Sequence, residues 1–399
     1  MSVARALAVA ATSACVVFRC CGDALAAQSA TPTVVPMTVL NNHVYVDALV
    51  DTKGPYHFVL DSGSPFGLLD SALAADLGLS VRRRGAIGGV GDDAPPAGDA
   101  TVSSLSLGGR ELSDRRFVVT PLRDTVGTAE GLPIDGVIGR DLLASVVTTV
   151  DYDRGTVTLD ADFGAAVRAG ASVVPMRLHD GLPQLACRIA GVAGRCTVDT
   201  GSRLAVTVLA PFARAHPATQ PAHPTAVGAD GYGLGGPAFG RLALLPSLAF
   251  GDFVLRDTVC DFSTQRRGAF ADPQTAANLG GGVWRRFAVT FDYARGRIAL
   301  RPGAAFATPE RFDRSGLFLV SNPGGSIRVL DVRPGTPAAD AGLRTDDVIR
   351  ARDGHDVAAA DLPALREILA DPTLSSVTLS IERDGAPRET VLALRDFVR

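Results

Sequence analysis

The feature that most narrows the folds open to this 399-residue chain is that it repeats itself in a single register. VVPM at 34–37 returns at 173–176, FVLDSGS at 58–64 is echoed by CTVDTGS at 196–202, and TTVDYDRGTVTL at 148–159 by VTFDYARGRIAL at 289–300, at offsets of 139, 138 and 141 residues. Three matches at a nearly constant offset mean that one structural unit occurs twice, as residues 34–160 and 173–301, joined by the Ala- and Gly-rich stretch 161–172. Each copy reads as β-rich. Val44, Val46, Ala48 and Val50 alternate as on a half-buried strand, 51–55 has turn chemistry, and Tyr56 to Leu60 runs back toward Asp61. Leu68-Leu69 leads into a short helix from about Ser71, with Asp70 as its N-cap and Gly78 as its stop. Short strands between Gly-rich turns predict a barrel or sandwich for each copy.

A lone Asp-Ser-Gly is an ordinary solvated turn, but the duplication changes its meaning. Two related lobes packed about a pseudo-twofold axis bring equivalent turns together, so Asp61 and Asp199 are expected to face each other. Two carboxylates in one site cannot both ionise easily: one pKa rises and the other falls, and the pair titrates as a unit. One member then takes a proton from water while the other gives one to a carbonyl oxygen. Gly63 and Gly201, lacking a Cβ, allow the two backbones to approach. Ser62 and Thr200 offer hydroxyls that bond across the interface, and Ser64 and Ser202 are placed to donate to the outer carboxylate oxygens.

The paired turns resemble those of the aspartic peptidases, and in detail the bacterial retropepsin-like branch. That family's second signature, two apolar residues and a Gly continuing into Arg-Asp, matches DGVIGRDLL at 135–143 through Ile138, Gly139, Arg140 and Asp141. ANLGGGVWRRF at 277–287 keeps Leu279 and Gly280 but loses the Arg-Asp, so the second lobe must be braced differently. The resemblance covers about 34–301 and implies two pseudo-twofold-related retropepsin- or pepsin-like β-barrel lobes. It also implies a Gly-rich flap over the site: 85–93 with Ile87, Gly88 and Gly89, and a counterpart at 227–236 with Tyr232 and Gly233. Plain surface turns are the competing reading of both, and a surface aromatic that of Tyr232.

The pattern changes after 302–315, a polar linker. VRPGTPAADAGLRTDDVIRARDGHDV at 332–357 resembles a bacterial PDZ domain, so 316–399 is expected to be α+β. Pro337 opens a short helix that stops at Gly342, Leu343, Val348 and Ile349 enter the core, Asp353-Gly354 makes a tight hairpin, and 361–369 forms the groove helix with Leu362, Leu365, Ile368 and Leu369 on one face. The resemblance makes Gly316, Leu317, Phe318 and Leu319 the loop that receives a peptide's terminal carboxylate, with Phe318 departing from the usual second glycine. The bland alternative is a domain that only packs on the lobes.

The first residues look like an export signal: Arg5, an apolar run of 13 residues from Ala6 to Phe18, and an A-x-A site at 24–26. Cleavage after 1–26 would leave three cysteines. Cys187 and Cys196 would then sit across a hairpin turning at Gly191-Val192, either as buried thiols, the favoured reading, or as a disulfide. Metal ligand spacing is absent among the six histidines and the remaining cysteines, so neither metal nor cofactor is expected. A net charge of −3 without blocks of like charge argues against nucleic acid. Together these readings predict an exported, periplasmic or extracellular, aspartic endopeptidase acting on polypeptides, with no transmembrane segment in the mature chain and no need to dimerise. Its PDZ domain would capture a C-terminal peptide for recruitment or regulation. The alternative is a peptide-binding protein on a degenerate protease scaffold.

Overall fold

The computed structural model describes residues 31–322 and 324–398; the expected export signal lies outside them. The repeat seen in the sequence is the repeat of the fold. In the first lobe, strands run side by side in the order His43–Val50, Lys53–Leu60, Gly136–Ile138, Leu68–Asp70, Arg110–Thr120, Pro96–Leu107, Arg82–Ala86, and His43–Val50 pairs again with Pro96–Leu107. The second lobe runs Leu182–Ile189, Val192–Val198, Ala277–Leu279, Val206–Val208, Thr258–Ser263, Gly236–Leu245, Gly228–Gly233 in the corresponding order. The lobes differ where Pro246 interrupts the chain. The single long strand Pro96–Leu107 has as its counterpart two pieces, Gly236–Leu245 and Leu248–Phe250, because proline withholds a ladder donor.

A third sheet joins the lobes. It is six-stranded, in the order Thr33–Pro36, Thr156–Leu159, Thr148–Asp151, Phe287–Asp292, Arg297–Pro302, Ser172–Pro175, three strands from each copy. The two copies meet where Thr148–Asp151 pairs antiparallel with Phe287–Asp292, and there the Thr149 and Thr290 hydroxyls touch at 2.8 Å. The best-matched repeat segments at 148–159 and 289–300 are this sheet, buried on the same apolar core as both lobes.

Local expectations hold with small shifts. Asp70 accepts from Ala72 and Leu73 and caps Ser71–Asp76, and Gly78 takes a left-handed φ of 70°. The turn expected over 51–55 is tighter, with the left-handed pair Asp51-Thr52 at its tip and the return strand beginning at Lys53. The stretch 161–172 contains the helix Phe163–Arg168. Two expectations fail at the cysteines. The hairpin turns at Ala190-Gly191, and Cys187 pairs with Gly194 rather than Cys196. The two cysteines are nevertheless joined in a disulfide, with Cα atoms 5.9 Å apart, so they are not free thiols. They are diagonal neighbours on one face, a pair that strand twist can draw together.

The C-terminal sheet is ordered Leu317–Ser321, Ile327–Val332, Val348–Arg352, Ser376–Arg383, Ala386–Ala393 and packs with the helix Leu362–Leu369 around its own core of Leu319, Ile349, Leu365 and Leu379. Asp353-Gly354 forms the expected hairpin turn and Gly342 ends Pro337–Asp340. Among the described residues no helix is long and apolar enough to cross a membrane.

Candidate active site

The chain delivers each Asp by the same device. Strand Lys53–Leu60 ends at Asp61 and strand Val192–Val198 at Asp199, and each Asp N–H donates to the apolar-Gly strand beside it: Asp61 to the Ile138 carbonyl at 3.0 Å, Asp199 to the Leu279 carbonyl at 2.9 Å. A Cβ on Gly63 would overlap the Asp199 carboxylate, and one on Gly201 the Asp61 carboxylate. Only glycine lets the turns close on each other. A Cβ on Gly139 or Gly280 would likewise strike the carbonyl of Phe66 or Leu204 beneath the turn.

The neighbouring hydroxyls lock the closure crosswise. Ser62 N–H donates to Thr200 Oγ1 at 3.0 Å, and Thr200 N–H to Ser62 Oγ at 3.1 Å. Each hydroxyl then passes its own proton across the seam, Ser62 Oγ to the Val198 carbonyl at 2.8 Å and Thr200 Oγ1 to the Leu60 carbonyl at 2.7 Å. All four bonds are buried, so each is costly to lose. Within this lock the Asp199 carboxylate packs on Gly63 and the Asp61 carboxylate on Gly201, close enough for each to feel the other's charge. Burial and then the Asp199 charge push Asp61 well above the usual carboxylate range. Burial also raises Asp199, but an amide donated by Asn278 at 2.7 Å pulls it back. The Asn278 amide, donated to Asp199 alone, favours the ionised form there rather than on Asp61.

The serines expected on the outer oxygens do something else. Ser64 Oγ donates to the Phe66 carbonyl at 2.8 Å, and no bond joins Ser202 to Asp199 among the described residues. Those carboxylates are already served from elsewhere: Asp61 Oδ1 accepts from Gly63 N–H, Asp199 Oδ1 from Gly201 N–H, and Asp199 Oδ2 from Asn278. Arg140 braces the first turn through its N–H to the Ser64 carbonyl and its guanidinium to Pro65, while Asp141 accepts from Leu142 at the start of the helix Arg140–Leu143. In the second lobe, which lacks Arg-Asp, Gly281 N–H reaches the Ser202 carbonyl and Trp284 Nε1 the Leu279 carbonyl.

Both carboxyls open on a cavity of about 710 Å³ lined by both lobes. Its roof is two loops tied to each other. Gly91 bridges Gly235, Asp93 N–H donates to the Gly235 carbonyl at 3.0 Å and Gly235 N–H to the Val90 carbonyl at 2.8 Å. Ile87, Gly88 and Gly89 line the cavity on the first-lobe side, Tyr232 and Gly233 on the second, and Gly89 is held by the Ala269 N–H.

The C-terminal domain forms part of the wall. Arg333 is buried in the second lobe, donating to Thr225, Ala226, Gly240 and Asp230. Asp230 itself touches Asp261, whose pKa is driven up by burial and the Asp230 charge. Arg366, on the helix Leu362–Leu369, crosses to the first lobe and donates to the Ala129 carbonyl and to Leu319 in its own domain. Of the four residues expected to receive a peptide carboxylate, Gly316 packs on Thr336, Leu317 borders a second cavity of about 630 Å³, Leu319 is core, and Phe318 faces the Asp61–Asp199 cavity. The first lobe packs directly on the strand Leu317–Ser321 and the adjacent helix. Ser321 Oγ donates to the Thr128 carbonyl, and Gly131 lies against Ala359 and Leu362.

Asn278, Arg203 and the Glu130–His43 pair escaped the sequence reading. Only Asn278 left a trace, as the polar residue where the first copy has Val137. Residues 46–142 match the family model described as Aspartyl protease, and residues 328–383 that described as PDZ domain. No curated protein matches the chain. The first match spans one lobe, and the corresponding strand order extends its likeness to the second. The chain carries an aspartyl protease-like domain and a C-terminal PDZ domain.

Proposed function

We propose that the chain is an exported aspartic endopeptidase with Asp61 and Asp199 as its catalytic pair. The observation that carries this reading is a half-buried carboxyl pair brought to one seam, each packed on the other turn's glycine and held by crossed hydroxyls at the floor of a cavity large enough for a peptide. Asp199, ionised, takes a proton from an attacking water as the carbonyl carbon–oxygen bond forms. Asp61 gives its proton to the carbonyl oxygen, and the resulting tetrahedral diol collapses with protonation of the leaving amine. Because both halves come from one chain, a monomer suffices. Export is supported by the leader-like pattern of 1–26 and by the Cys187–Cys196 disulfide, which suits an oxidising compartment.

The PDZ domain fits regulation better than open recruitment, since residues 128–131 pack between its strand Leu317–Ser321 and the start of its helix Leu362–Leu369. A peptide adding a strand there must displace them. The test is cleavage of a peptide library across acidic to neutral pH by the wild type and by Asp199→Asn. Pepstatin-sensitive cleavage abolished in the folded variant supports the reading. A wild type that binds peptides and cuts none would leave a peptide-binding protein on a protease scaffold.

A further inference from the structure

Arg203 follows the second Asp turn directly and lines the Asp61–Asp199 cavity on the side walled by the PDZ domain. Its guanidinium lies over the Phe318 ring, 5.2 Å from the centroid, so a residue of the PDZ domain sets where the charge sits. The acids that feel that charge are occupied. Glu130 is met by Asn41 at 3.0 Å, His43 at 3.3 Å and Arg366 at 3.7 Å; Asp230 is met by Arg333; Asp313 accepts from Ser315 and Gly316. Arg203 itself forms no ion pair among the described residues, and it is only half-buried. Arg84, the other arginine of the cavity that stacks on a phenylalanine, is different: its charge is answered by Asp99 at 3.5 Å.

A guanidinium presents a fork of donors matched to a carboxylate. One that is stacked, partly desolvated and unpaired in a cavity is poised for a carboxylate from outside. We propose that Arg203, held by Phe318, is the specificity residue of a substrate subsite that takes a carboxylate, and that the PDZ domain therefore helps select substrates by shaping the cleft. The proposal rests on the peptidase reading for its consequence, but its binding step does not. Four residues of chain separate Arg203 from Asp199, a span of at most about 14 Å. The recognised group thus belongs within about four residues of the scissile bond.

The test pairs peptides that differ by one charge: Glu against Gln at each position within four residues of the bond, and a free against an amidated C-terminus. Dissociation constants are measured on the full chain carrying Asp199→Asn, and kcat/KM on the wild-type dyad. At one position, or at the terminus, the acid should bind at least about tenfold tighter than its neutral partner. Arg203→Gln should erase that preference, Arg203→Lys should keep most of it, and Phe318→Ala should weaken it. Which pair responds tells a side-chain carboxylate from a terminal one. The proposal is overturned if no pair discriminates, if neither member of any pair binds, or if the preference survives Arg203→Gln. Acid-selective binding without turnover by the wild type would sink the peptidase reading and leave this subsite standing.

Discussion

Asn278→Val tests what makes the two halves of the acid pair unequal. The substitution gives the second-lobe strand Ala277–Leu279 the residue found at the equivalent place in Gly136–Ile138. It removes one hydrogen bond of 2.7 Å to Asp199 Oδ2 in a nearly dry site, Asn278 being 5% exposed. Hydrogen bonds to charged groups contribute about 1.5–3 kcal/mol, and each pH unit of pKa corresponds to about 1.36 kcal/mol. The bond favours the ionised form of Asp199, so its loss raises the pH at which Asp199 gives up its proton. The acid limb of the kcat/KM profile should move up by about 1–2 pH units, with a loss of about tenfold to a hundredfold on that limb and near-recovery above it. The mirror variant Val137→Asn places an amide near Asp61 and should instead draw down the basic limb, where Asp61 loses its proton. Both profiles come from initial rates on one quenched-fluorescent peptide, with circular dichroism to confirm folding. An acid limb unmoved in Asn278→Val, or one displaced to lower pH, refutes the assignment of Asp199 as the ionised member.

Three further outcomes follow from the same contacts. Thr200→Val keeps the shape but strands the Ser62 N–H and the Leu60 carbonyl, two buried groups at about 1–3 kcal/mol each, so urea denaturation should show a loss of roughly 2–6 kcal/mol; a loss below about 0.5 kcal/mol would count against the crossed lock. Glu310 is pushed up to about 7 by burial, so the stability tied to its proton is complete below the ordinary value of 4.5 and disappears as pH rises to about 7. Glu310→Gln should therefore stabilise the protein by about 3 kcal/mol at pH 8 and leave it nearly unchanged at pH 4, as read from denaturant midpoints at the two pH values. Arg333→Met removes the anchor of the PDZ domain in the second lobe and leaves the Asp230–Asp261 pair buried without its cation. Limited proteolysis should then cut within 303–316, and an uncut segment would mean that Arg366 and Phe318 hold the domain without it.

What the sequence made legible was whatever the duplication had kept in duplicate. The Asp turns, the apolar-Gly strands and the 148–159 and 289–300 segments all serve both lobes through the same contacts, so selection for one geometry leaves two similar strings. Asp70 and Gly78 were legible for a different reason, since a side-chain cap and a left-handed glycine act within a few residues of themselves. Ser64 and Ser202 were misassigned because proximity in sequence says nothing of competition: backbone N–H groups and Asn278 reach the carboxylates first. The disulfide ranks second to buried thiols in the sequence because a small apolar thiol and a bridged cysteine read alike there; the structure bridges the pair on diagonal positions of the hairpin. Arg203, Glu130 and Arg333 gave no signal at all. Each acquires its meaning from a partner more than 80 residues away, and a lone arginine or glutamate has no spacing to betray that.

The asymmetry between the lobes then has a structural logic. A symmetric pair of aspartates would have no preferred site for its proton; Asn278 opposite Val137 supplies the preference from within the second lobe. The same lobe also loses Arg-Asp, and its outer face is where Arg333 enters. The first lobe contributes Glu130, which burial alone would push upward but which His43 and then Arg366 hold in the ionised range. Glu130 therefore belongs to both the cavity and the PDZ contact, with Arg366 on one side and His43 on the other. Lifting the PDZ domain would leave that carboxylate short of a cation and Arg203 short of its stacking partner. Any displacement of residues 128–131 from Ser321 and Leu362 would therefore also disturb Glu130 and the charge lining the cavity between the lobes.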